Sequence, residues 1–166
     1  SCVMLSGETA VGDYPVEVVK TMAKICVDTE SNIDYGKNFK NIDFEITNVA
    51  DALSHSSVNA AIYLKSKAIV VCTKTGLTAV MVSRFRPNMP IVAFVTSEKA
   101  YHQLAMSWNV HPFLTEEYYS TEELSIRAID RAKALPFINK NDIIIVVAGI
   151  ARQAHASNLM RIEKIR

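Results

Sequence analysis

Short apolar runs alternate with stretches of helical periodicity along most of this chain. Ala68-Ile69-Val70-Val71-Cys72, Ile91-Val92-Ala93-Phe94-Val95 and Asp142 to Ala148 are rich in β-branched residues and bounded by polar or turn-forming positions, which predicts buried strands, the last the strongest of them. Val110 to Leu114 and Asn158 to Ile165 predict two more. Between these runs the spacing is helical: Gly76 to Arg86, stopped by Pro87; Glu98 to Trp108; and Thr121 to Leu135, with Thr121 as cap, Leu124, Ala128 and Ala132 inward, and Pro136 ending it. Strands alternating with helices of this length predict an α/β fold, a three-layer α/β/α domain whose mostly parallel five-stranded sheet is covered on both faces.

The first part of the chain reads differently. Cys2 to Leu5 is a short apolar run ending at Ser6-Gly7, which suits the end of a buried strand followed by a loop. Gly12-Asp13-Tyr14-Pro15 reads as a helix start, with Asp13 a candidate cap and Pro15 early in the helix, where its missing N–H costs little. Val16, Val19, Ala23 and Cys26 mark one face of that helix, and Val18, Ile25 and Val27 add apolar positions off it, which predicts cover on two sides. Ser31 to Phe44 is polar and predicts a linker or an irregular entry. Ile46, Val49, Ala50, Leu53, Ser57, Ala60, Ala61 and Leu64 then keep 3.6-residue spacing through to Lys65, the clearest helix of the chain.

Composition adds bounds. With 166 residues, 49% of them apolar, and 5 Gly and 5 Pro, the chain can bury the core of one main domain. Its 18 Lys and Arg against 17 Asp and Glu give no broad field for nucleic acid or an anionic membrane, so an anion site has to be local. Cys2, Cys26 and Cys72 are odd in number and far apart, and read as buried thiols of a reducing compartment rather than as a zinc or redox pair. No run approaches the roughly 18 apolar residues of a membrane span, and no signal-peptide pattern opens the chain, which makes the cytoplasm the expected location. A start without Met, on an apolar run, leads us to expect a piece of something longer.

The candidate chemistry lies in Thr73-Lys74-Thr75-Gly76-Leu77-Thr78, between the first strand of the sheet and the next helix. In open α/β sheets ligands collect outside the carboxyl ends of strands, and this loop offers three hydroxyls, one ammonium and a glycine that permits close backbone approach. The Walker spacing is absent. Two readings stay open on local sequence: an anion cradle, or Thr and Gly merely capping a helix after a tight turn. His55 falls opposite the apolar stripe of its helix without a partner acid or Cys, His102, His111 and His155 are isolated, and no metal-ligand cluster is visible. Trp108, Tyr118 and Tyr119 read as packing or interface anchors, and Arg84 and Arg86 as a solvated helix end, before any role on a base, sugar or phosphate.

The run Met4-Leu5-Ser6-Gly7-Glu8-Thr9-Ala10 with Gly12-Asp13-Tyr14-Pro15 closely resembles the signature around the eighth strand and helix of the pyruvate kinase barrel. Thr73-Lys74-Thr75-Gly76 with Thr78-Ala79, then Ser83-Arg84, Arg86-Pro87, Pro90-Ile91, Asp142 to Gly149 and Ser157-Asn158 follow that family's carboxy-terminal domain in order. The resemblance implies that residues 1–30 are a remnant of the last strand and helix of the catalytic barrel, 31–45 a linker, and 46–166 an allosteric and assembly domain whose last strand is antiparallel.

It further implies a parent glycolytic phosphotransferase, a homotetramer that moves phosphoryl from phosphoenolpyruvate to ADP with Mg²⁺ and often K⁺. Thr73, Lys74, Thr75, Gly76 and Thr78 match the loop that holds an effector phosphate in many members. Ser6 and Glu8 match the rim of the active site. The metal-binding and phosphoryl-stabilising residues lie in earlier barrel strands, so this chain alone is expected to be inactive and to carry no metal or cofactor of its own. Where effector-binding members carry a Gly- and Thr-rich loop, this chain has Ala151-Arg152-Gln153-Ala154-His155-Ala156-Ser157-Asn158. A loop without glycine brings backbone N–H groups less readily onto a second phosphate. That argues against fructose 1,6-bisphosphate and leaves a sugar monophosphate, a nucleotide, an inorganic anion or no effector. A free-standing phosphometabolite sensor and a purely structural oligomerisation domain are the competing readings.

Overall fold

The computed structural model describes residues 2–116, 120–149 and 157–166. Its elements run α1 (Gly7–Ala10), α2 (Pro15–Ser31), α3 (Tyr35–Lys40), α4 (Val49–Tyr63), β1 (Ala68–Cys72), α5 (Leu77–Ser83), β2 (Ile91–Val95), α6 (Glu98–Leu104), β3 (Val110–Leu114), α7 (Thr121–Lys133), β4 (Ile143–Gly149) and β5 (Ser157–Lys164). The strands form one sheet in the order β3-β2-β1-β4-β5, parallel except for β4 with β5. This is the expected mostly parallel five-stranded sheet, antiparallel at its last strand.

Alternation sorts the core into two halves, because successive strand residues point to opposite faces. Ile69, Val71, Ile91, Ala93, Ile145 and Val147 pack on one face with residues of α3 to α6. Ala68, Val70, Val92, Ile144 and Val146 pack on the other with Ala128, Ile129 and Ala132 of α7. Every residue of β1 and β2 is buried, as strands covered on both faces require. The edge strand β3 is mostly exposed and tolerates Pro112, which would cost a ladder bond at the centre of a sheet.

Several local expectations are corrected. Cys2 to Leu5 forms no strand: it pairs with no neighbour, Val3 and Met4 stand 60% and 85% exposed, and a strand satisfies its backbone only against another. Asp13 does not cap α2; Tyr14 holds the cap position and Pro15 is the first helical residue. No residue of α2 is buried, so the expected cover on two sides is absent among the described residues. Within the expected linker, Asp34 caps α3 by accepting from Lys37 N, and α3 inserts Phe39 into the core, edge-on to Phe85. α4 buries Asp51, Ser54, Ser57, Val58 and Ala61, a face rotated from the expected stripe, while Val49 is exposed.

Helix ends shift for identifiable reasons. α5 stops at Ser83 because Phe85 and Arg86 close tight turns onto Val82 O and Ser83 O, and Arg86, before Pro87, takes a left-handed φ of 48°. α6 stops at Leu104, four residues before Trp108: Trp108 Nε1 donates to Pro87 O at 3.1 Å, and Asn109 Nδ2 to Met89 O at 3.0 Å, drawing the chain out of the helix. Ser120, one residue ahead of the expected Thr121, caps α7 by accepting from Glu123 N.

Candidate functional site

Strand order decides where a site can form. From β1 the chain winds outward through β2 and β3, then returns to place β4 on the other side of β1, so the β1–β4 boundary is the topological switch point of the sheet. Cys72 is paired with Ala148 there, and the Thr73–Thr78 loop leaves the carboxyl end of β1 beside it. Thr73 N donates to Phe94 O at 3.0 Å, tying the start of the loop to β2. The loop that follows β4 in sequence, Ala151 to Ala156, lies outside the described residues, as do Tyr118, Tyr119 and His155.

Within the loop, Thr73 Oγ1 accepts from Gly76 N at 3.1 Å and Thr75 Oγ1 from Leu77 N at 3.5 Å. Both hydroxyls thus satisfy backbone donors at the start of α5, and each retains a hydrogen of its own to donate. Gly76 sits at φ 85°, a left-handed conformation that lets the chain turn sharply from strand to helix. Lys74 and Thr75 are exposed, and Thr78 and Gly76 are buried. All five expected loop residues are therefore gathered at one turn. A pocket of about 360 Å³ adjoins them, lined by Thr75, Gly76, Leu77 and Val80 on one side and Ala100, Gln103 and Leu104 on the other. Of these seven, Val80, Ala100, Gln103 and Leu104 were not among the residues that the sequence singled out; the signal for three of them is the i, i+3 spacing of Leu77 with Val80 and the i, i+4 spacing of Ala100 with Leu104 on two short helices.

Other candidates are engaged elsewhere. Arg84, at the far end of α5, pairs with buried Asp51 at 2.5 Å and lies 4.2 Å over the Phe44 ring, so it is not a ligand of the loop. Arg86 lies 5.4 Å over the Trp108 ring, which makes Trp108 a packing residue. His55 stacks on Phe39 with centroids 4.9 Å apart and meets Phe85 edge-on, a packed histidine. Ser6 and Glu8 form a local corner and do not line that pocket: Glu8 Oε2 accepts from Ser6 N at 2.9 Å, and backbone N–H donors hold its carboxyl below the usual carboxylate range. Gly12 closes that corner, where an added Cβ would collide with Glu8 O. Burial pushes the Cys72 thiol up to about 12, so it stays protonated and inert.

Among the described residues no group of three His, Cys, Asp or Glu side chains converges. Among the described residues no helix is long and apolar enough to cross a membrane.

The family described as pyruvate kinase, alpha/beta domain, matches residues 51–163. The chain belongs to the pyruvate kinase alpha/beta-domain family. The pyruvate kinase of Clostridium acetobutylicum is 38% identical over 165 residues, covering 98% of this chain and 35% of that protein. That of Eimeria tenella is 34% identical over 165 residues, with 97% and 31% covered. The crystal structure of a pyruvate kinase from Cryptosporidium parvum superposes with a TM-score of 0.86 at 30% identity, covering 99% of this chain and 33% of that one. The chain thus spans about a third of the length of these relatives. Within the family match lie the whole sheet except the end of β5, the Thr73–Thr78 loop and the Asp51–Arg84 pair.

Proposed function

We propose that this chain is the regulatory and assembly domain of a cytoplasmic, tetrameric pyruvate kinase that transfers phosphoryl from phosphoenolpyruvate to ADP in glycolysis. In this reading the Thr73–Thr78 loop takes the phosphate of an effector, and residues 1–30 carry the end of the catalytic barrel, joined through 31–45. The observation that carries it is the position of the loop at the carboxyl end of β1 on the switch point of the sheet. With seven residues, α5 contributes little field of its own, so the recognition falls to the hydroxyls, the Lys74 ammonium and the backbone around Gly76.

Phosphoryl transfer requires cations placed around one phosphate, and Lys74 alone does not supply such a set. The isolated chain is accordingly inactive in a coupled assay with phosphoenolpyruvate, ADP, Mg²⁺ and K⁺; clear turnover would refute this part of the reading. Calorimetric titration of the chain with inorganic phosphate, glucose 6-phosphate and fructose 1,6-bisphosphate tests the loop. Saturable binding that weakens about tenfold or more in Lys74→Ala is expected, the loss of one charge-assisted contact. A second reading, a structural domain with an idle loop, is favoured by the bond from Gly76 N to Thr73 Oγ1, which already satisfies one donor of the turn. Absence of binding by both the parent chain and the variant would select it.

A further inference from the structure

The pocket between α5 and α6 shares Thr75 and Gly76 with the phosphate loop, so one small molecule can span both. Its volume of about 360 Å³ falls at the lower end of small-ligand sites. Its walls are hydrocarbon: Leu77 and Val80 from α5, and Ala100 and Leu104 from α6. Leu77 and Val80 keep 48% and 46% of their surface exposed on a helix whose other face, Thr78, Ala79, Val82 and Ser83, is buried. Only the Gln103 amide and the Thr75 hydroxyl give polar side-chain groups to this lining, and it contains no carboxylate and no cation.

These observations bear on the kind of effector. A hexose presents hydroxyls around its whole ring, and those pressed against Leu77, Val80 and Leu104 would lose water without gaining partners. A flat or branched apolar group loses little and covers the exposed side chains. The geometry points to a phosphate monoester with a compact apolar organic part: the phosphate at the Thr73–Thr78 loop, the apolar part between α5 and α6, and Gln103 free to read one polar atom on it. This inference rests on the phosphate reading of the loop and adds the class of molecule attached to the phosphate.

Methyl- and amide-resolved NMR titration of the full chain tests it with inorganic phosphate, glucose 6-phosphate and phenyl phosphate as probes. Phenyl phosphate is expected to bind about tenfold or more tighter than inorganic phosphate and than glucose 6-phosphate, shifting loop amides and the methyl groups of Leu77, Val80 and Leu104 together. In Val80→Asn, with Leu77→Asn as a second variant should the first melt early, the ratio of phenyl phosphate to inorganic phosphate affinity falls toward one. Equal affinities for the three probes, or loop shifts without methyl shifts, overturn the inference while leaving the loop as a phosphate site. Methyl shifts without loop shifts overturn both, because the pocket would then bind the ring alone.

Discussion

Gly76 is the residue on which the turn from β1 to α5 depends. At φ 85° an L side chain is strained, and an added Cβ would lie 3.3 Å from Leu104 Cγ. Gly76→Ala is expected to lower unfolding free energy by about 1–2 kcal/mol, measured by urea denaturation. The glycine was legible in the Thr-Lys-Thr-Gly run, and so were the threonines, because each residue type carries its own backbone and hydrogen-bond preference. Its contact with Leu104 was not, since that partner stands 28 positions away in sequence and is brought near only by sheet order. Likewise Arg84 read as a solvated helix end, because nothing in its neighbourhood announces Asp51.

At the scale of elements, the entry to α4 shows how a local signal became a tertiary anchor. Asn48 Oδ1 accepts from Asp51 N at 2.9 Å, and Asp51 Oδ2 accepts from Thr47 Oγ1 at 2.7 Å and Asn48 Nδ2 at 2.8 Å, a variant of the capping box. The other oxygen of Asp51 takes Arg84 from α5, so one carboxylate joins two helices and the Phe44 segment. Arg84 first, and Thr47 with it, hold the Asp51 carboxyl below its ordinary value of 3.8. A folded-state value below the unfolded one means stability that is present above about pH 4 and lost as pH falls through the folded value. Asp51→Asn should therefore lower the melting temperature by a few degrees at pH 7, and flatten the decline of melting temperature below pH 4. A variant with an unchanged acid limb would remove Asp51 as its source. The apolar stripe of α4 could not reveal this, because the buried face here sets Asp51, Ser54 and Ser57 beside Val58 and Ala61.

For the molecule as a whole, the sheet and its two core halves form one body, to which α2 contributes no buried residue. Val16, Val19, Ile25 and Val27 are all more than half exposed, together with Val3, Met4, Val11 and Tyr14 in the segment before them. Such a concentration of apolar surface promotes association in water. Sedimentation velocity on the chain by itself is expected to show species whose proportion rises with loading concentration, and Val19→Asp with Ile25→Asp to return it to a monomer. A monomer at all concentrations before substitution would show that this surface is tolerated in solution.

The sequence by itself determined the strands of the sheet, the three helices between them, the family signature and the identity of the loop residues. Each of these is written in nearest-neighbour terms: period-2 or period-3.6 alternation, β-branched density, and the backbone preferences of Gly, Pro and Thr. Tertiary structure alone decided the rest. It put the loop on the switch point, turned α4 to bury Asp51, Ser54 and Ser57 along with Val58 and Ala61, drew Phe39 of the expected linker into the core, and left Cys2 to Leu5 without a strand partner. It also opened the α5–α6 pocket beside the loop. Those outcomes depend on which surfaces meet across long separations, and a residue's own neighbours do not specify the distant group that will satisfy it.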